Sequence, residues 1–251
     1  MNLYTLEKEL SIIYQFDKYD DYCYNGIQVE GRCEINKIIL AVNLSMDLID
    51  YAVINKADAI IVHHGFFGKS FLKLKGNLKD RVKKLLDNNI SLLGIHLPMD
   101  ANIDIGHNRI IADIIKLNEL KLFNYGFIGT NKLRIKINDI KKMIETYFYQ
   151  EINIKIDSIQ IYDYLNKIPE KIGIISGESY KYFEDAILEG VDLFICGSIA
   201  QHIPEIAKES KKAIMALGHY NSEIAGIVAL SKILYDKFNI ENEIFLIENN
   251  L

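Results

Sequence analysis

Apolar positions along this chain fall in blocks that switch between strand-like runs and helical spacing. Residues 5–15 carry the 3.6-residue period of a short amphipathic helix, and a polar, glycine-containing stretch follows from Asp17 to Arg32. Lys37 to Val42 is a continuous apolar strand. Ser45 is placed to cap a helix over Met46–Lys56, and Ala59 to Val62 is a second strand, which completes a β-α-β unit. The same pattern predicts a helix at 79–88, a strand at Ile90–Ile95 and a helix at Ile105–Lys116.

Gly126 to Asn131 punctuates this series. Beyond it the pattern predicts strand Leu133–Ile137, helix Ile140–Tyr149, and strands Ile154–Tyr162 and Ile172–Ser176. Helix Tyr180–Glu189, strand Val191–Cys196, helix Ile203–Glu209 and strand Ala213–Leu217 follow. A last helix runs from Gly218–His219 to about Phe238, and Glu243 to Ile247 is a closing strand. Alternation of this kind implies an α/β protein with mainly parallel sheets covered on both faces. The break near residue 126 favours two α/β lobes over one long sheet.

Composition narrows the class further. With 49% hydrophobic and 25% charged residues in 251, the chain reads as an ordinary globular protein. A formal net charge of −5 supplies no global basic field, which argues against a dedicated nucleic-acid binder. Three cysteines, Cys23, Cys33 and Cys196, lack paired Cys-x-x-Cys spacing, so neither a disulfide framework nor a thiolate zinc site is expected. The start, Met1-Asn2-Leu3-Tyr4-Thr5-Leu6-Glu7, lacks the basic and apolar character of a signal peptide, and no segment approaches a membrane span of ~20 apolar residues. The expected compartment is the cytoplasm, with no membrane partner.

Chemistry concentrates where predicted strands end. His63 and His64 close the run Ala59-Ile60-Ile61-Val62-His63-His64-Gly65. Neighbouring strand residues point to opposite faces, so both imidazoles serve one site only at a strand end, or if each holds a different ion. His96 and Asp100 follow the next strand, and His219 and Glu223, four apart at a helix start, share a face. In open α/β sheets such strand ends converge on the functional crevice. Imidazoles mixed with carboxylates suit Zn, Mn, Fe or Ni, and Glu223 or Asp100 could bridge two ions.

Other candidates carry less. His107 and His202 lack comparable company, although His202 could line the site from a neighbouring strand end. Gly173-Ile174-Ile175-Ser176-Gly177-Glu178-Ser179 has no complete phosphate-loop pattern and reads as a strand-to-helix turn. Phe66, Phe67 and Phe71 could wall a heterocycle pocket, but core or subunit-interface packing is the plainer expectation.

At these same clusters the chain resembles the GTP cyclohydrolase I type 2 homologues. The matching pieces are Asn25-Gly26-Ile27-Gln28-Val29-Glu30-Gly31, Ile61-Val62-His63-His64-Gly65-Phe66-Phe67 and Gly94-Ile95-His96-Leu97-Pro98-Met99-Asp100-Ala101, then Gly190-Val191-Asp192-Leu193-Phe194-Ile195-Cys196-Gly197 and Gly218-His219-Tyr220-Asn221-Ser222-Glu223. The resemblance implies two interlaced α/β domains, the second inserted in the first, with boundaries at 1–124, 125–211 and 212–251. It implies two divalent metal ions held by His63, His64, Asp100, His219 and Glu223, and a toroidal homohexamer. His96 would be an additional weak ligand or a proton-transfer group. Relatives commonly carry an acidic residue where this chain has Ser198, which bears on substrate handling.

The activity so implied is hydrolytic opening of the guanine ring of GTP through a metal-bound hydroxide, with His96 and Glu223 as catalytic groups. A two-metal centre equally suits hydrolysis of another nucleotide or phosphoester. A non-catalytic metal-binding ring acting as adaptor or carrier is the third reading.

Overall fold

The computed structural model describes residues 1–66, 73–156 and 158–247. Among them the strands are β1 (Gly26–Val29), β2 (Lys37–Asn43), β3 (Ala59–His64), β4 (Ser91–Gly94), β5 (Asn118–Phe123), β6 (Gly126–Thr130), β7 (Gln160–Asp163), β8 (Lys171–Ile175), β9 (Leu193–Cys196), β10 (Ala213–Ala216) and β11 (Glu241–Ile244). They form two sheets, ordered β1-β4-β3-β2-β11 and β5-β6-β8-β9-β10-β7. The first sheet is parallel from β4 to its β11 edge, with β1 antiparallel on the other edge, and the second has a parallel centre, β8-β9-β10, flanked by antiparallel strands on both sides. The chain is an α/β protein built from two compact units, Met1–Met99 with Ile227–Ile247, and Asp100–Gly226.

In the first unit β2 and β3 bury both faces, as continuous apolar runs in a parallel sheet must. Ile39, Ile60, Val62 and Leu92 pack with Leu48, Ile49, Ala52 and Leu85 from the helices. Helix Met46–Ile54 starts where the Ser45 hydroxyl accepts the Leu48 amide at 3.0 Å, which satisfies one of the donors a helix N-terminus leaves open. The register aligns Asn43 of β2 with His64 of β3, so the sheet's carboxyl edge is where the histidine pair emerges.

The second unit packs Phe183, Phe194, Ile175 and Ile214 around β8, β9 and β10. Gly126 to Asn131 does not mark a boundary here: Gly126–Thr130 is strand β6, hairpinned to β5 and paired with β8. β10 likewise pairs with β9. The second unit therefore begins and ends further out than the expected cuts at 124/125 and 211/212, both of which fall inside it.

Local departures have local causes. The strand expected at Leu133–Ile137 is absent because the Asn131 side chain takes the backbone hydrogen bonds a neighbouring strand would need. Its Nδ2 donates to the carbonyls of Ile135 and Pro169, and its Oδ1 accepts the Ile135 amide. A 16-residue helix, Ile137–Ile152, follows directly. Among the described residues of the strand expected over Ile154–Tyr162, only the stretch from Gln160 onward pairs. The polar segment Asp17–Arg32 in turn conceals β1, an antiparallel edge strand with a bulge between Ile27 and Val29. No helix among the described residues is long and apolar enough to cross a membrane.

Candidate metal centre

The first unit gathers His63, His64 and His96. One ring nitrogen from each lies within 4.8 Å of the other two, a grouping suited to a metal ion. Strand alternation alone would separate His63 from His64. At the last residue of β3 the rings nevertheless approach to 4.5 Å between centroids, and His96 lies 5.0 Å from His63 and 5.6 Å from His64. His63 and His96 are buried, and His64 is partly open to solvent.

Each imidazole is held through the same atom. His63 Nδ1 lies 2.9 Å from the Ile95 carbonyl, His64 Nδ1 2.7 Å from Asn43 Oδ1, and His96 Nδ1 2.9 Å from the Asp21 carboxylate. All three partner oxygens accept, so each Nδ1 carries the proton and donates it. The neutral ring then presents Nε2 as its lone-pair atom. Metal-binding histidines are oriented in this way by acceptors behind them, and the donor set fits a borderline divalent ion such as Zn, Mn, Fe or Ni.

Asp21 was not among the residues singled out from sequence. Burial pushes its carboxyl up, but the His96 hydrogen bond and the Cys23 amide outweigh that and hold it at about 2. Cys23 N (3.0 Å), Asn25 Nδ2 (3.1 Å) and Leu97 N (2.9 Å) complete four donors on one buried carboxylate. Asn25 Oδ1 accepts the His96 amide at 2.7 Å. Gln28 accepts the Phe66 amide at 2.7 Å and donates to the Tyr24 carbonyl at 2.7 Å. The Asn25-Gly26-Ile27-Gln28 motif thus clamps the turns that carry the histidines. Gly65 is needed in one of them, because a Cβ there would sit 2.3 Å from Gln28 Oε1.

Phe66 packs against the first unit's core, while Phe67 and Phe71 lie outside the described residues.

The second unit carries the carboxylates. His219 opens the turn after β10, and its Nε2 lies 3.2 Å from Oε1 of the buried Glu223, close enough for both to address one ion. Ser222, fully buried, joins this turn to the one after β8: its hydroxyl donates to the His219 carbonyl at 2.8 Å and accepts the Gly177 amide at 2.9 Å. Gly177 has φ +66°, and a Cβ there would fall 2.6 Å from Glu223 Oε1. Ser198 N donates to the Gly177 carbonyl at 3.2 Å, which places Ser198 in the same group of turns.

Asp100, on helix Leu97–Ala101, accepts the Ser176 hydroxyl at 2.6 Å. Asn108 braces it by donating to the Asp100 carbonyl at 3.1 Å while accepting the Ser176 amide at 2.7 Å. His107 is fully buried, and one of its ring nitrogens lies within 4.8 Å of an Asp100 oxygen. Its Nδ1 accepts the Gly226 amide at 2.9 Å, so in the neutral ring Nε2 bears the proton. That tautomer leaves Nε2 with no lone pair to offer an ion. His202 is exposed and meets Tyr180 edge-on, with centroids 6.2 Å apart.

In both sheets, then, the candidate side chains sit at the carboxyl ends of parallel strands, where open α/β sheets place their functional crevice.

Comparisons with known proteins bear on the family and the fold. The family model for Duf34/NIF3 (NGG1p interacting factor 3) matches residues 1–250. A Haemophilus influenzae protein named GTP cyclohydrolase 1 type 2 homolog is 34% identical over 255 residues, covering 99% of each chain. An Archaeoglobus fulgidus protein of the same name is 32% identical over 251 residues, covering all of both. Among solved structures, the protein ybgI, described as of unknown function, superposes with TM-score 0.89 at 29% identity over the full length of both chains.

Proposed function

The chain belongs to the Duf34/NIF3 family, and from that premise we propose that it is a dinuclear-metal protein acting as a metal-dependent hydrolase of the GTP cyclohydrolase type. The observation that carries the reading is the first unit's cluster: three imidazoles with Nδ1 pinned and ligating atoms within 4.8 Å of one another. The names of the relatives supply the substrate class, a guanine nucleotide.

In this reading His63, His64, Asp100, His219 and Glu223 hold two divalent ions. Bound there, the ions would supply Lewis acidity enough to ionise a water near neutral pH. The protein's own groups do the rest. Ile95 O and Asn43 Oδ1 fix the two histidine rings, and Ser176 orients the Asp100 carboxylate. His96, with Asp21 behind it, moves a proton at Nε2, and Glu223 takes or returns one at a carboxylate oxygen. Assembly into a homohexamer belongs to the same proposal.

The test is to measure metal by elemental analysis, then incubate the loaded protein with GTP and assay formate and a pterin precursor. Two ions per chain with formate release support the reading. Two ions with no turnover on GTP but turnover on a phosphoester panel would move it to the other hydrolase class. Intact metal with no turnover on any substrate would leave a metal-binding ring. Substituting His64 and Glu223 separately asks whether the ligands serve one centre: loss of both ions in either variant supports that, and loss of only one ion per variant counts against it. Light scattering reports the oligomer.

A further inference from the structure

Two groups compete for one lone pair on His96. Its Nδ1 proton is committed to Asp21 at 2.9 Å, so Nε2 is the atom that must accept. The Tyr22 hydroxyl lies 3.3 Å from that Nε2, with the phenol edge-on to the imidazole at 4.9 Å and 72°. The carboxylate fixes the direction of both bonds: Asp21 accepts, His96 passes its lone pair outward, and Tyr22 donates. Yet this same ring belongs to the group of three whose ligating atoms fit one ion. An sp² nitrogen has one lone pair in the ring plane, so it cannot accept the Tyr22 proton and bind a metal at once.

The two side chains differ in their freedom. His96 is 5% exposed, its ring is held through Nδ1 by Asp21 at 2.9 Å, and its backbone amide is tied to Asn25 at 2.7 Å. Tyr22 is 60% exposed, and a side chain so open can change rotamer without disturbing the core. Of the two partners the phenol is the one open to solvent.

We propose that Tyr22 is a specificity-determining residue for the metal: its hydroxyl withholds His96 Nε2 from coordination, and His96 becomes a ligand only when Tyr22 turns away. This rests on the metal-centre reading above. With Tyr22 in place the ion meets His63 and His64, and His96 stands beside it as a hydrogen-bonding group. With Tyr22 displaced, the first unit offers three imidazoles. One exposed phenol thereby sets the coordination number, and with it the preference among divalent ions that favour different ligand counts.

Cobalt(II) is the probe, since its visible absorption reports ligand number and type. Wild type, Tyr22→Phe, His96→Ala and the double variant are titrated with cobalt as full-length protein, and circular dichroism checks that each is folded. The phenylalanine keeps the ring and removes only the hydroxyl. Tyr22→Phe is expected to bind cobalt about three- to tenfold more tightly, the range set by loss of one competing hydrogen bond, and to shift its visible band as a further imidazole joins. In the His96→Ala background the Tyr22 substitution should then do nothing. Equal affinity and an identical spectrum for wild type and Tyr22→Phe, or a difference that persists without His96, overturns the proposal and leaves the metal-centre reading standing. If neither wild type nor Tyr22→Phe takes up cobalt, both fall.

Discussion

Asp21 and His96 lie 75 positions apart in the chain and share a 2.9 Å hydrogen bond in which a buried carboxylate holds a buried imidazole by Nδ1. Every group around that carboxylate is a donor: the amides of Cys23 and Leu97, Asn25 Nδ2 and the His96 ring. Replacing Asp21 by Asn removes the charge and turns an NH2 group toward at least one of these donors. The Asp21→Asn variant should lose about 3 kcal/mol of stability, since a buried donor left facing a donor costs its full desolvation. Urea unfolding checks this. A variant as stable as wild type would mean that the four donors find other acceptors.

This carboxylate also marks how far the sequence could be read. The parallel strands, the paired histidines, and the His219 and Glu223 spacing were visible because each obeys a local rule: an apolar run, a strand end, or a one-turn interval on a helix. Asp21, Tyr22 and Asn25 obey none. They lie in a polar loop with no periodicity, and only the fold brings them to His96. The Asn25-Gly26-Ile27-Gln28 segment carried a family signal but no mechanism, which appears only once Gln28 is seen bridging Tyr24 and Phe66. The break read at Gly126–Asn131 has the opposite cause: a glycine at a strand's first position looks the same in sequence as one in a linker.

Gly177 is required by position as well as by conformation. An alanine there would adopt φ near +66° at a cost of about 1–2 kcal/mol, and its methyl would press on Glu223 Oε1. Gly177→Ala should therefore lower stability by at least about 1 kcal/mol and open the His219–Glu223 pair beyond its 3.2 Å separation. Chemical denaturation with a crystal structure of the variant reads both. An unchanged pair in a protein of unchanged stability would show that the turn has room to give.

Asp192 provides a pH test away from the metal cluster. Burial pushes its carboxyl up, but the Glu170 amide at 3.0 Å and Lys212 Nζ at 3.0 Å outweigh that and bring it below the ordinary carboxylate value. A native pKa below the unfolded one means that the ionised form stabilises the fold. That contribution is complete above the unfolded carboxylate range near ~3.9 and is lost as pH falls through it toward the native value. Asp192→Asn should thus be less stable than wild type by about 1–3 kcal/mol at neutral pH, with the gap narrowing at pH ~3. Urea midpoints at the two pH values give the comparison. A gap that is the same at both would assign the loss to packing rather than to charge.

Metal removal addresses the proposed centre through stability alone, without any assumption about substrate. A ligand that binds only the native state stabilises it by about 2.7 kcal/mol at one hundred times its dissociation constant. For a chain of this size each kcal/mol moves the melting point by about 2–4 °C, so chelated protein should melt roughly 5–10 °C below the metal-loaded form. His63 is fully buried and turned by the Ile95 carbonyl so that Nε2 faces the cluster. His63→Ala should lower the melting point of the chelated protein through lost packing, and should also abolish the response to added zinc or manganese. His107→Ala, which removes a ring whose Nδ1 serves the Gly226 amide, should lower stability while keeping that response. Calorimetry with and without chelator separates the two. A melting point indifferent to chelation in protein shown to lose its metal would mean that the ion does not bind the native fold in preference to the unfolded chain, and would remove the cluster as its site.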